Sequence, residues 1–324
     1  MREITHISCI GAGLIGQGWA TQFCSSGYDL ILCDQNEAIL ENALENIQAN
    51  LMFLETHELL RTGDTAGALK KIKTTCNLAE AVENADYVQE SVFDVYDAKK
   101  QIFKEMDARA PVSAILASSS SGLLMTEIQK AVAAPQRCLL AHPYLPVHLM
   151  PLVEVVGGRQ TSPDALAATC DLMEKIGKIA VQLQKEVSGY IVNRLQAALL
   201  REAIDLVDSG VASAEAVDKA FRLSLGLRGP ILGPLLRAHL AGDGIARFFE
   251  NYSESYRTRW ESMATWTSLS SRAASANIKS IQEMEILRTK SLPEIKTWRD
   301  DMLVQILKVV HKGAKKQQEL RDVT

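Results

Sequence analysis

No Cys-x-x-Cys pair occurs among the six cysteines of this 324-residue chain. Cys9, Cys24, Cys33, Cys76, Cys138 and Cys170 fall inside apolar runs. That pattern argues against a zinc ribbon or a disulfide scaffold and predicts buried free thiols in a reducing compartment. No metal site is expected. Apolar stretches long enough to span a membrane, ~20 residues, are also missing. Excess positive charge is absent as well: the formal net charge is −4. Nucleic acid needs a basic face, so it is not an expected partner. No signal peptide precedes the first predicted strand, Ile4–Ile10, and a cytoplasmic location is therefore expected.

What the chain does have is alternation. Short β-rich runs at Ile4–Ile10, Asp29–Cys33, Ile72–Cys76, Tyr87–Val92, Ala114–Ser118, Cys138–His142, Leu152–Val156 and Ile179–Leu183 are separated by helical patterns. Their apolar residues are continuous rather than alternating, as in strands covered on both faces. Near Gly189 the character changes, and almost everything beyond reads helical. One helix is predicted over Gly189–Ser209 with Gly210 closing it. Another follows Ser213 through Leu225, a third covers Pro234–Tyr252, and a last one runs from Pro293 to about Gly313 before Lys312, Lys315 and Lys316. The expected fold is α/β: a Rossmann-type, mostly parallel sheet in residues 1–187 and an all-helical substrate and dimerisation domain in residues 188–324. The apolar faces of those helices predict a homodimer built through them.

Gly11-Ala12-Gly13-Leu14-Ile15-Gly16 follows a strand and opens a helix. Gly11 permits the tight turn, Gly13 lets backbone approach a pyrophosphate, and Gly16 allows close helix–strand packing. The next strand ends in Asp34, placed to bind adenosine ribose hydroxyls. A carboxylate there repels a 2′-phosphate, and neither Gln35 nor Asn36 could receive one. NAD is the expected cofactor rather than NADP.

His142 ends one strand, ahead of Pro143, and Glu154 lies among Leu152, Val153, Val155 and Val156 on the next. Taking a proton from an alcohol needs a base that titrates near neutrality, and imidazole is the natural choice. A carboxylate in apolar surroundings is costly unless paired, so Glu154 is expected to hold the other ring nitrogen. The serine run Ser118–Ser121 ends a strand where ligand crevices form, and Asn193 opens the later helical region.

These pieces together resemble the L-3-hydroxyacyl-CoA dehydrogenase superfamily over essentially the whole chain. Within it, Asn193–Gln196, Leu225–Arg228, Gly233–Leu235, His239-Leu240 and Trp298–Asp300 are most similar to the branch holding L-gulonate 3-dehydrogenase (lambda-crystallin) and L-carnitine dehydrogenase. The resemblance implies His142 as acid/base, Glu154 as its partner, and Ser121 and Asn193 as hydrogen-bonding groups at the reacting oxygen. It also implies Lys99, with an acid at Glu90 or Asp94, near the nicotinamide or the substrate entrance. Leu145 stands where the superfamily usually carries asparagine, which removes a polar substrate contact.

The substrate class turns on charge. Asn36–Leu60 contains no Lys or Arg but carries Glu37, Glu41, Glu45, Glu55 and Glu58, which would repel a polyphosphate tail. Arg228 is the candidate to pair a free carboxylate. A small free 3-hydroxy acid is therefore expected, ahead of a 3-hydroxyacyl-CoA or a non-catalytic, crystallin-like NAD-binding protein. Tyr144, Trp260 and Trp266 are the aromatics available to a trimethylammonium.

Overall fold

The computed structural model describes residues 4–321, with side chains through residue 310. The predicted Lys312, Lys315 and Lys316 stretch lies outside the described side chains. The chain divides into two compact units, one through Arg194 and one from Leu195.

All eight predicted strands form, as β1 (His6–Ile10), β2 (Asp29–Cys33), β3 (Ile72–Thr75), β4 (Tyr87–Glu90), β5 (Ile115–Ser118), β6 (Cys138–Pro143), β7 (Leu152–Gly157) and β8 (Ile179–Gln182). They make one sheet in the order β3-β2-β1-β4-β5-β6-β7-β8. Every pairing is parallel except β6 with β7. Successive strand residues feed different cores, as a pleat requires. Ile7, Cys9, Leu32 and Ala117 pack with Trp19, Phe23 and Ile47 of helices α1 (Leu14–Ser25) and α2 (Glu37–Thr56). Ile10, Cys33 and Leu116 pack on the other face with Phe103 and Met106 of α3 (Tyr96–Arg109). A further helix, α4 (Pro163–Lys175), starts at Ser162, whose hydroxyl accepts from the Ala165 N–H. The strand order reverses direction beside β1, so the carboxyl ends of β1, β4 and β5 open a crevice there.

The helical region departs from expectation in its breaks. Helix α5 begins at Val192, not Gly189, because Gly189 (φ +77) and Tyr190 (φ +48) both turn left-handed. Gly210 (φ +76) closes the helix region as predicted. Ser213 caps α6 (Ala214–Phe221), but the chain then widens into a π turn over Arg222–Gly226 instead of continuing regularly to Leu225. The single helix expected over Pro234–Tyr252 is two, α7 (Pro234–Ala241) and α8 (Ile245–Ser262). Asp243 (φ +52) and Gly244 (φ +128) break the ladder between them. Helix α9 (Ser271–Gln282), capped by Ser270, was not foreseen, and α10 (Leu292–Arg321) outruns its predicted end. The cysteines are free, but Cys76 is exposed and Cys170 half-buried, so only four of the six are the buried thiols expected.

Tight packing at the first turn is the strictest local demand. A Cβ on Gly16 would sit 1.8 Å from the Gly11 carbonyl oxygen, a backbone atom that cannot swing aside. Gly16→Ala should therefore cost about 1–3 kcal/mol of stability, read as a lower urea midpoint; an unchanged midpoint would mean the turn is more compliant than its geometry implies.

Candidate active site

The glycine turn meets the requirements of a dinucleotide. Helix α1 starts at Gly13 without a side-chain cap, which leaves its first N–H groups for an anion. A Cβ on Gly13 would meet nothing within 4 Å, whereas one on Gly11 (φ +96) would strike the Ser91 carbonyl at 2.8 Å. The space over Gly13 is thus the open cradle a pyrophosphate needs. Leu14 lies beside it, 67% exposed, and Ile15 lines the adjoining cleft. At the end of β2 the Asp34 carboxylate accepts from the Ala12 N–H (2.7 Å) and the Gln35 N–H (2.8 Å). It is thereby fixed at the fingerprint, where a ribose would lie.

Next to this cradle is a cleft of about 220 Å³, walled by Ile15, Asp94, Lys99, Ser119, Ser121 and His142 among others. His142 and Glu154 are directly paired residues of β6 and β7. Cross-strand partners share a face of the sheet, and here the His142 Nδ1 lies 3.1 Å from Glu154 Oε2. Both are buried, at 5% and 1% exposure. The Tyr144 hydroxyl donates to the same oxygen at 2.5 Å. The other oxygen, Oε1, accepts the N–H groups of Ile191 (3.0 Å) and Val192 (3.1 Å) at the start of α5. Burial pushes the Glu154 carboxyl up, but the donors from His142, Tyr144, Val192 and Ile191 outweigh it and hold it below the usual carboxylate range.

Ser121 sits across the cleft. Its hydroxyl donates to Asp94 Oδ2 (2.8 Å), as does its N–H (3.1 Å), while Ser120 donates to Oδ1 (2.6 Å). Burial again raises the acid, and the donors from Ser120 and Ser121, with Lys99 nearby, leave it below its ordinary value. With its proton on Asp94, the Ser121 oxygen offers lone pairs to the cleft. Asn193 Nδ2 donates to the Ser121 carbonyl (3.0 Å), so these two residues are brought together although 72 positions separate them. Ser119 is tied to Trp19 Nε1 (3.1 Å), Gln89 Nε2 (2.7 Å) and the Ser91 hydroxyl (2.9 Å).

Glu90 and Lys99 form an ion pair at 2.9 Å, at 0% and 1% exposure. Lys99 reaches the cleft wall and lies 3.8 Å from Asp94. Glu90 is fully enclosed and takes the Ser118 hydroxyl (2.6 Å) and the Val92 N–H (2.6 Å). It therefore bears on the cleft through its neighbours rather than by direct touch. Arg228 belongs to the second unit, where its exposed guanidinium donates to the Ser224 carbonyl and hydroxyl, each at 3.2 Å.

Sequence reasoning missed three contributors. The sequence offers Tyr144 only as an aromatic for a cationic substrate, yet its hydroxyl bonds Glu154. Tyr190 is fully buried, donates to the Leu123 carbonyl (2.8 Å) and packs 5.2 Å from the His142 ring. The Trp19 indole was not linked to the serine run. The only available signal was the Gly-Tyr pair at Gly189-Tyr190, a glycine beside an aromatic just before a helix.

Comparison with known proteins agrees with this geometry. The NAD binding domain model of 3-hydroxyacyl-CoA dehydrogenase matches residues 6–187, and the C-terminal domain model of the same family matches residues 189–279. The chain belongs to the 3-hydroxyacyl-CoA dehydrogenase family. It is an NAD-dependent oxidoreductase acting on a CH–OH group. Among its relatives, an L-carnitine dehydrogenase from a Pseudomonas species is 34% identical over 96% of both chains. A lambda-crystallin homolog from Rattus norvegicus is 34% identical over 93% of this chain and 95% of its own. Among solved structures, an NAD⁺-dependent 5-formyl-3-hydroxy-2-methylpyridine 4-carboxylic acid 5-dehydrogenase superposes with a TM-score of 0.84. It is 26% identical, covering 95% of this chain and 99% of its own. The (S)-3-hydroxybutyryl-CoA dehydrogenase of Ralstonia eutropha gives 0.65 at 28% identity, covering 78% and 89%.

Two outcomes follow from the site. Gly13→Ala should fold normally and weaken NAD binding about tenfold or more, a loss near 1.4 kcal/mol; titration calorimetry showing an unchanged Kd would move the pyrophosphate elsewhere. Glu154 binds fewer protons folded than unfolded, so its stabilisation is complete above its ordinary value of 4.5 and drains as pH falls through the lower folded value. Glu154→Gln should accordingly lower the urea midpoint at neutral pH, with the gap closing in acid. A gap independent of pH would contradict that assignment.

Proposed function

We propose that this protein oxidises a small free L-3-hydroxy acid to the 3-keto acid. The observation that carries this reading is the His142–Glu154 pair, set in register on β6 and β7 with the imidazole on the cleft wall. The Gly11–Gly16 turn and Asp34 would hold NAD, which would supply the hydride acceptor for the carbinol carbon. His142 takes the hydroxyl proton: its Nδ1 is committed to Glu154, so Nε2 is the nitrogen that serves the substrate. Glu154 fixes the ring and compensates the positive charge it acquires. Ser121 and Asn193 are assigned to orient the reacting oxygen: Asn193 Nδ2 has a second hydrogen beyond the one given to the Ser121 carbonyl, and the Ser121 hydroxyl would donate by turning from Asp94 to the substrate.

Charge supports a free acid. The exposed face of α2 carries Glu37, Glu41 and Glu45, an unfavourable track for a CoA polyphosphate. Arg228 is the partner we assign to the substrate carboxylate, because its guanidinium is exposed and donates to the neutral groups of Ser224. The relatives named L-carnitine dehydrogenase act on a free hydroxy acid, which favours the same class here. The second reading is a 3-hydroxyacyl-CoA substrate, favoured by the structural likeness to 3-hydroxybutyryl-CoA dehydrogenase. Nucleotide binding and proton transfer are assigned to residues 1–187, and substrate binding and dimerisation to residues 188–324. The second unit exposes Leu223, Leu227, Ile231 and Leu235, apolar area suited to a second copy of the chain. We place the enzyme in the cytoplasm.

A panel of L-carnitine, L-gulonate, 3-hydroxybutyrate and 3-hydroxybutyryl-CoA, followed by NADH absorbance, separates the readings. A free acid should turn over with the highest kcat/KM; a preference for the thioester would reverse the assignment. His142→Gln should lose roughly 10²–10⁴-fold in kcat while NAD binding persists. Turnover close to that of the parent would put the base elsewhere.

A further inference from the structure

We propose that Tyr144 is a positioning residue of the proton-transfer pair, holding the Glu154 oxygen that faces His142 and limiting the negative charge the imidazole receives from it. The inference rests on the proposed role of His142 and adds a third member to the pair.

Four observations carry it. The Tyr144 hydroxyl and the His142 Nδ1 meet one oxygen, Oε2, at 2.5 and 3.1 Å. The phenol contact is the shorter of the two, so it takes a large share of that oxygen's charge. The Tyr144 ring also packs edge-on to the imidazole, with centroids 4.7 Å apart. Position 144 lies just past the end of β6, only two residues from the histidine, so a single strand end delivers both donors. The carboxylate cannot turn toward either donor alone, because Oε1 is pinned by two backbone N–H groups.

The surroundings isolate this effect. Glu154 faces the imidazole from β7 and Tyr190 from the turn before α5. Asp94 and Lys99 stand on the shared cleft wall, with Glu90 enclosed behind Lys99. Asp94 is occupied by Ser120 and Ser121, and Lys99 by Glu90. Tyr144 is therefore the group whose removal changes Glu154 while leaving the other charges in place. Phenylalanine keeps the ring contact and deletes the donor. The freed oxygen then serves His142 alone and stabilises the imidazolium more strongly.

The test is long-range ¹H–¹⁵N correlation on the full chain, which reads the protonated fraction of each imidazole without substrate. His142 is assigned by the resonance lost in His142→Gln. In Tyr144→Phe the ratio of protonated to neutral His142 at a given pH should rise about threefold or more, part of the worth of a hydrogen bond to a charged group. In step, the acid limb of the kcat/KM profile should move to higher pH. Made on a Glu154→Gln background, the same substitution should leave the ratio unmoved. A ratio unchanged or lowered in Tyr144→Phe alone overturns the proposal. So does an equal rise on the Glu154→Gln background, since the influence would then bypass the carboxylate. High turnover in His142→Gln strikes the proposed base instead, and the two failures are read from different proteins.

Discussion

The Glu154 carboxylate is the constraint on which the rest of the site depends. It is almost wholly buried and would be prohibitively costly as a lone charge. Four donors remove that cost: an imidazole, a phenol and two backbone N–H groups. They come from the strand before it and from the turn that opens α5. One side chain therefore fixes the imidazole proposed as the base and satisfies the first turn of the helix on which Asn193 sits. The α5 N-terminus contributes its own partial positive charge to the same oxygen.

A second buried charge organises the opposite wall. Glu90 ends β4 and holds Lys99 of α3, the Ser118 hydroxyl of β5 and the Val92 N–H. Two strand ends and a helix are thereby tied at one point directly under the crevice. Neither partner could be removed without leaving an uncompensated ion in the core. Behind the cleft wall, then, stand two buried carboxylates, Glu154 holding His142 and Glu90 holding Lys99.

Much of this was legible in the residues. The six inner strands read clearly because burial on both faces goes with nearly continuous apolar runs, whereas the edge strands β3 and β8 are largely exposed rather than covered on both faces as expected. Glu154 was legible for the opposite reason: an acid among valines demands a partner, and the nearest strand offered a histidine. The helical breaks were not legible. Apolar spacing runs on from Leu240 toward Phe248 across Asp243-Gly244, so periodicity alone gives one helix where left-handed backbone makes two. Nor was the Asp94–Ser121 bond visible, since 27 residues separate partners that only the sheet order brings together. Tyr144 escaped notice because the target of its hydroxyl depends on the path of the chain beyond Pro143, which no local pattern encodes.

The antiparallel pairing of β6 with β7 has a broader meaning. The ladder that aligns His142 with Glu154 ends at the pairing of Pro143 with Val153, and residues 144–151 connect the two strands outside it. That connection carries Leu145, 49% exposed. The pairing of His142 with Glu154 is set inside the ladder, so its register does not depend on the course of this connection. The connection can therefore vary in sequence without disturbing the alignment of imidazole and carboxylate.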